Sequence, residues 1–278
     1  MAADKGKGKW KVTTIDCGYL LSKKVNLVPA GGDPDLIVSL PDLAFLLQDG
    51  EKNILIDNGR NERYLIDGKG WGGFPAFISE QKLLDSLAAQ GLKPQDIDAV
   101  IYTHLHNDHA GNCHLFMDAT AYCQEEEWDN LLNPCPAELP RRDFDFDIIP
   151  YLKQTKGLIK IDGDCELMEG IRVVKTPGHT RGSQSVIVNT TNGLRAFIGD
   201  LCHLECMAFP QSTELMNYEG EILKITPGPK DWMVMPSSLV YNYYEFYRSI
   251  DKVRAIVPEW NPGYIVFGHD AKYIHEPI

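Results

Sequence analysis

Apolar positions gather along much of this chain in short, often β-branched runs between polar stretches, and most runs close on Gly, Pro, Asn or Asp. Such runs bounded by turn residues predict strands. The β-branched stretch 11–16 reads as the first. Residues 36–40 and 43–47 read as two more, and Asp49-Gly50 as a hairpin turn into a return strand at 53–57. Further strands are expected at 98–102, 119–123, 159–161, 166–168, 171–176, 185–188, 194–198 and 264–267. Asp162-Gly163-Asp164 reads as a hairpin turn between 159–161 and 166–168, and Asn192-Gly193 as the turn between 185–188 and 194–198.

Helical spacing is rarer. Over 79–90, Ser79 is placed to cap, Leu83, Leu84 and Leu87 share a face, and Gly91 stops the run. A second helix is expected from Ser237 to about Val253. Residues 60–77 read as a Gly-rich loop around Trp71. Residues 130–154, irregular and Pro-containing, read as a loop or lid insert. The run Glu125, Glu126, Glu127 reads as a solvated face.

Strands 53–57 and 194–198 belong to two β-rich halves, and each runs into an Asp, Asp57 and Asp200. Two such halves with flanking helices predict an α/β protein, a four-layer αβ/βα sandwich. We expect one domain over 1–278. With 44% hydrophobic residues the chain can bury a sizeable core.

Charge and cysteine content narrow the classes. The formal charge of −12 repels a phosphate backbone and argues against nucleic acid as partner. Seven cysteines, an odd number without a C-x-x-C pair, suit reduced thiols in a cytosol. Residues 1–9 lack the apolar segment of a secretory signal, and no apolar run is long enough to span a membrane. A cytoplasmic location without membrane attachment is the expectation.

The chemistry concentrates directly after the strand at 98–102, where His104, His106, Asp108 and His109 fall within six positions. Neutral imidazoles and carboxylates are standard ligands of Zn²⁺ and similar ions. On one loop, His104 and His106 can face one point, and Asp108 and His109 an adjacent one, which suits two ions side by side. Other strands end near His179, Asp200 and His269. Asp57 closes an apolar strand, where an unpaired carboxylate is costly; it is either a turn-former or a residue orienting metal ligands.

His104-x-His106-x-Asp108-His109 resembles the signature of the metallo-β-lactamase superfamily. The later His179, Asp200 and His269 resemble the branch containing N-acyl-homoserine-lactone lactonases and pyridoxolactonase. That resemblance implies a fold, an activity and a ligand set. His104, His106 and His179 would hold one ion, Asp108, His109 and His269 the other, and Asp200 would bridge them. Asp57 would support the ligands from behind. The cofactor would be two divalent ions, Zn²⁺ first, with Mn²⁺, Fe²⁺ or Co²⁺ as alternatives. A metal-bridging hydroxide would open a small-molecule lactone or ester, a quorum-quenching activity in that branch. The assembly could be a homodimer. Where such lactonases carry a Tyr three residues after the bridging Asp, this chain has His203. His203 and Asp108 are therefore the catalytic candidates, since an imidazole can protonate a leaving alkoxide. Rival readings are a glyoxalase-II-like thioesterase and a mononuclear-iron sulfur dioxygenase. The first would draw on late basic residues such as Arg248, Lys252, Arg254 and Lys272. Aromatic residues Trp71, Phe74, Phe144, Phe146 and the Tyr241/Tyr243/Tyr244 group are candidates for the pocket mouth or for ordinary core.

Overall fold

A computed structural model describes residues 8–278, so most of the 1–9 lead-in lies outside the described residues. In chain order the strands are β1 (Lys11–Lys23), β2 (Ile37–Gln48), β3 (Asn53–Ile56), β4 (Ala76–Ile78), β5 (Ala99–Ile101), β6 (Thr120–Gln124) and β7 (Gly157–Ile161). These form one sheet, ordered β4-β1-β2-β3-β5-β6-β7. Then come β8 (Cys165–Met168), β9 (Ile171–Lys175), β10 (Gln184–Thr190), β11 (Gly193–Phe197), the small hairpin β12 (Glu214–Met216) and β13 (Ile222–Lys224), and β14 (Ile265–Val266). The second large sheet runs β14-β11-β10-β9-β8.

Alternation sorts the first sheet's side chains. Leu43, Phe45 and Leu47 of β2, Ile54 and Ile56 of β3, and Ile101 of β5 join the core shared with the second sheet. Their neighbours Ala44, Leu46, Leu55 and Val100 face the opposite way. There they meet Leu83 and Leu87 of the helix Glu80–Ala89, Trp128 and Leu131 of the helix Glu125–Leu132, and Leu152 of the helix Ile148–Gln154. Between the sheets, Phe45 meets Phe197 with ring centroids 5.0 Å apart. Phe246, Ile250 and Val253, spaced along one face of the helix Tyr243–Ile256, pack with the second sheet's side of the core. The layers are those of the αβ/βα sandwich.

Four expectations change. Residues 36–40 and 43–47 are one strand, β2, running through Pro41. Pro41 pairs with Tyr19 beside a bulge in β1 between Asp16 and Tyr19, where a missing N–H is tolerated. Residues 159–161 and 166–168 are not a hairpin: β7 and β8 lie in different sheets, and Asp162–Asp164 carries the chain across. The late helix begins at Tyr243, capped by the Asn242 side chain accepting from the Glu245 N–H. Residues 237–242 form a turn and loop instead, and the Tyr241 and Asn242 N–H groups donate to the Gly178 carbonyl beside His179. Finally, the acidic run is not wholly solvated, because Glu127 is buried.

The stretch 130–154 holds two short helices, Glu138–Arg141 and Ile148–Gln154, with Asp143, Phe144 and Asp145 buried between them. No cysteine among the described residues is disulfide-bonded, and Cys202 and Cys206 are buried. No helix among them is long and apolar enough to cross a membrane.

Candidate metal centre

Every candidate residue sits just past the C-terminal end of a strand, which is where open α/β sheets place their sites. β3 delivers Asp57, β5 delivers His104 to His109, β9 delivers His179, β11 delivers Asp200 and β14 delivers His269. Close approach of these loops needs two glycines. A Cβ on Gly268 would stand 2.6 Å from Asp200 Oδ1, and one on Gly199 would stand 2.7 Å from Thr103 Oγ1. Gly199 also has φ +50°, a left-handed conformation that favours glycine.

Asp200 lies at the centre, and its two oxygens divide the imidazoles. Oδ2 faces His203 Nε2 at 3.0 Å, His179 Nε2 at 3.4 Å and His104 Nε2 at 4.0 Å. Oδ1 faces His269 Nε2 at 3.1 Å and His109 Nε2 at 3.2 Å. Asp108 approaches from the same side, with Oδ2 3.7 Å from His269 Nε2. Potential ligand atoms thus gather into His104/His106/His179 and Asp108/His109/Asp200/His269, with His179/Asp200/His203 as a third, overlapping set. All seven expected ligands and His203 converge on one site.

The outward nitrogens explain why the inward ones are free. His109 Nδ1 is 2.8 Å from Asp57 Oδ2, His269 Nδ1 is 2.8 Å from the Pro41 carbonyl, and His179 Nδ1 is 3.1 Å from the Leu239 carbonyl. An acceptor at Nδ1 selects the Nδ1–H tautomer and turns the Nε2 lone pair inward. His109 Nε2 and His269 Nε2 then face each other at 3.3 Å, and both face Asp200 Oδ1. His104 Nε2, His106 Nε2 and Asp200 Oδ1 are buried with no hydrogen-bond partner among the described residues. Facing acceptors of this kind require positive charge between them, and divalent cations fit the donor set.

The electrostatics agree. Burial would raise the Asp200 carboxyl, but His203, His269 and His109 hold it well below the ordinary carboxylate range. Burial first, and the neighbouring imidazoles after it, push His104 and His179 far down and His106 down to about 4, keeping these imidazoles neutral. His109 and His269 go the other way: burial would lower them, yet Asp200 with Asp57 or Asp108 raises them, His269 to about 9. That demand for positive charge can be met by protons or by metal.

Asp57 is built for the supporting place. It has φ +59°, which Asp tolerates better than most residues. Its Oδ1 accepts from the Thr103 N–H at 2.7 Å, and its Oδ2 accepts from Thr103 Oγ1 at 2.7 Å as well as facing His109.

Sequence reasoning missed three groups. Arg60 is buried, with Nε donating to Asp42 Oδ2 at 3.2 Å and NH2 3.1 Å from Asp108 Oδ2. It therefore positions Asp108, and the Asn58-Gly59 turn after β3 was the available hint. Asp42, deep in β2, is raised by burial to about 6 despite Arg60. Glu127 is the third. Its Oε1 accepts from the Leu105 N–H at 2.9 Å, and its Oε2 accepts from Thr180 Oγ1 at 2.6 Å and the Gly182 N–H at 3.1 Å. Burial raises it to about 7. It ties the His104–His109 loop to the His179 turn. Glu127→Ala leaves three buried donors unmet, and about 2–4 kcal/mol of stability is expected to be lost. Urea unfolding checks this; an unchanged midpoint would show that water replaces the carboxylate.

A narrow cleft opens over Asp200. Leu20, Leu27, Leu40 and Leu239 give it an apolar wall, and Trp71 and Asp143 border it. Of the other aromatic candidates, Phe144 packs on His106 with centroids 4.8 Å apart, and Tyr241 donates to Asp143. Phe146, Tyr243 and Tyr244 are exposed, and neither they nor Phe74 line the cleft. Arg248, Lys252, Arg254 and Lys272 are each paired with a carboxylate, and none lines the cleft. His114 pairs with Glu80, and His275 with the Tyr218 carbonyl, both outside the site.

Sandwich and site together define an αβ/βα protein with a candidate metal centre, its His and Asp side chains gathered at strand ends. Residues 40–235 match the family model described as the metallo-beta-lactamase superfamily, and the chain belongs to that superfamily. It is 29% identical over 188 residues to an N-acyl homoserine lactonase of Bacillus thuringiensis, covering 60% of this chain and 71% of that protein. Against the N-acyl homoserine lactonase AttM of Rhizobium radiobacter it is 29% identical over 191 residues, covering 64% and 70%. Among solved structures, an N-acyl homoserine lactone hydrolase with N-hexanoyl-L-homoserine at its catalytic metal centre superposes with a TM-score of 0.71. The identity there is 23%, over 96% of this chain and 98% of that one. AidC, a dizinc quorum-quenching lactonase, superposes with a TM-score of 0.68 at 18% identity, over 95% and 88%.

Proposed function

We propose that this chain is a dinuclear-metal hydrolase that opens a lactone or a closely related ester. The observation that carries the reading is the division of Asp200: one oxygen faces His104, His179 and His203, the other His109 and His269. A carboxylate shared in this way suits two ions about 3.5–4 Å apart. His104, His106 and His179 would hold the first ion, Asp108, His109 and His269 the second, and Asp200 both. Zn²⁺ is the first expectation. Such a pair supplies water activation near neutral pH and polarisation of a carbonyl.

The chain's own residues do the rest. Asp57 and the Pro41 and Leu239 carbonyls hold the imidazoles in the tautomer that presents Nε2. Arg60 keeps Asp108 ionised and in place. The four leucines offer an apolar wall for the body of the substrate. His203, half-stacked on His269 with centroids 5.6 Å apart, lines the cleft and would protonate the leaving alkoxide. The lactone reading draws on the named activity of the relatives. We take the whole chain as one catalytic unit, with 130–154 forming part of the cleft wall.

The test is a pH-stat assay of metal-loaded protein against lactones, esters and thioesters. Lactones are expected to be hydrolysed fastest; a thioester preference would favour the glyoxalase-II-like alternative. Elemental analysis of protein prepared without chelator is expected to give close to two divalent ions per chain. A reproducible single iron would instead favour the sulfur dioxygenase reading.

A further inference from the structure

Beside the cleft lies a wider groove. The two share Arg60, Trp71 and Asn107 as lining residues. The groove's outer walls come from the Gly-rich turns of 66–73 and from 140–142. Its lining carries four cationic side chains, Arg60, Lys69, Arg141 and Arg142, against one carboxylate, Asp67. In a chain of net charge −12 that is a local reversal of sign.

Two of the four cations are already engaged. Arg60 is held by Asp42 and Asp108, and Arg141 Nε lies 4.0 Å from Asp143. Among the described residues, no carboxylate lies within ion-pairing distance of Lys69 or Arg142. The Arg142 guanidinium rests over the Tyr64 ring at 4.4 Å and its Nη2 donates to the Tyr64 carbonyl at 3.4 Å, contacts that orient its plane and leave its remaining N–H donors without a carboxylate. Its backbone is left-handed, φ +56°, which is unfavourable for Arg. The surroundings hold it there, since the Arg142 carbonyl accepts from Tyr64 Oη and from Asn107 Nδ2, both at 3.0 Å. Asn107 is the neighbour of Asp108, so the basic edge is tied to the metal loop itself.

We propose that this groove binds an anionic substituent, a carboxylate or phosphate, at the far end of the substrate whose ester group sits over Asp200. The proposal rests on the reading of the chain as a lactone or ester hydrolase and names its substrate class. A purely apolar tail finds its wall among the leucines of the cleft. It gains nothing from Lys69 and Arg142, whereas an anion gains two charge-assisted partners.

The test uses metal-loaded full-length protein and three N-acylated γ-butyrolactones whose chains end in a methyl group, a carboxylate or a phosphate monoester. An anionic member is expected to exceed the neutral one in kcat/KM by about tenfold at low salt, through KM, and the ratio to fall as salt rises. In the double variant Lys69→Gln/Arg142→Gln the ratio is expected to collapse toward one. The better of carboxylate and phosphate identifies the anion. Equal kcat/KM for all three substrates, or a ratio that survives the double variant, overturns the proposal.

Calorimetric titration with suberate, set against hexanoate with its single carboxylate, reads the same site without turnover. Tighter suberate binding that the double variant loses is expected. If no lactone is hydrolysed but suberate behaves so, the lactonase reading falls and the anion groove stands. If lactones are hydrolysed but chain-end charge makes no difference, the groove proposal falls alone. Circular dichroism of the double variant guards against misfolding as the cause.

Discussion

Asp200→Asn is expected to lose at least one bound metal ion per chain and more than about 10²-fold in kcat. The magnitude follows by comparison: outer residues that merely support a metal ligand cost about 10–100-fold when removed. Asp200 is no outer residue in the proposed site, since its oxygens face imidazoles of both ligand groups at 3.1–4.0 Å. Asparagine keeps the shape but replaces one anionic oxygen with a neutral NH₂, which cannot ligate. The unbalanced imidazoles also lose the charge that drew His109 and His269 upward. Elemental analysis and steady-state kinetics on the same preparation decide the matter. Full metal content with normal kcat would show that Asp200 does not bridge.

His203→Ala is expected to lower kcat for the preferred lactone or ester by about 10²–10⁴-fold, the scale of a general acid–base residue, while both metals stay bound. His203 is buried and lines the cleft, with neither ring nitrogen in a hydrogen bond among the described residues. Its Nε2 lies 3.0 Å from Asp200 Oδ2 without hydrogen-bond geometry, and its Nδ1 has no partner, an arrangement that is costly unless something else engages the ring. Its Nε2 also belongs to a potential ligand set with His179 and Asp200. The experiment therefore has three readable results. Metals retained with kcat lost supports proton donation to the leaving group. Metal lost with kcat shows that His203 ligates, and metals and kcat both intact remove it from the mechanism. His203→Tyr, which supplies a phenol in the same place, is expected to recover part of the activity only in the first case.

The strands of the first sheet were legible because a short apolar run is local. The run from Leu43 to Leu47 can be read off five consecutive residues, whatever lies elsewhere in the chain, although only the structure sends Leu43, Phe45 and Leu47 to one core and Ala44 and Leu46 to the other. The capped helix Glu80–Ala89 was legible for the same reason, its Ser79 cap and Leu83/Leu87 face lying within three turns. Partnering was not. Nothing local distinguishes a turn that pairs two strands from one that hands the chain to another sheet, so Asp162–Asp164 was misread as a hairpin. Pro41 looked like a strand break because its lost N–H is visible in sequence, while the bulge opposite that tolerates it lies twenty-odd residues away, at Asp16 to Tyr19.

The same division runs through the site. By itself the sequence determined which residues could ligate, because His104, His106, Asp108 and His109 share one loop, and His179, Asp200 and His269 each follow an apolar strand. Only the tertiary structure decided which way each atom faces. It set Asp200 between the imidazole groups, turned the Nε2 lone pairs inward through Asp57, Pro41 and Leu239, and buried Glu127 between Leu105, Thr180 and Gly182. It also brought Arg60 to Asp108, 48 positions away, and set Lys69 and Arg142 on one groove. The reason is physical: an ion pair or a buried hydrogen bond depends on distance in space, and chain neighbours carry no record of it until the sheets close.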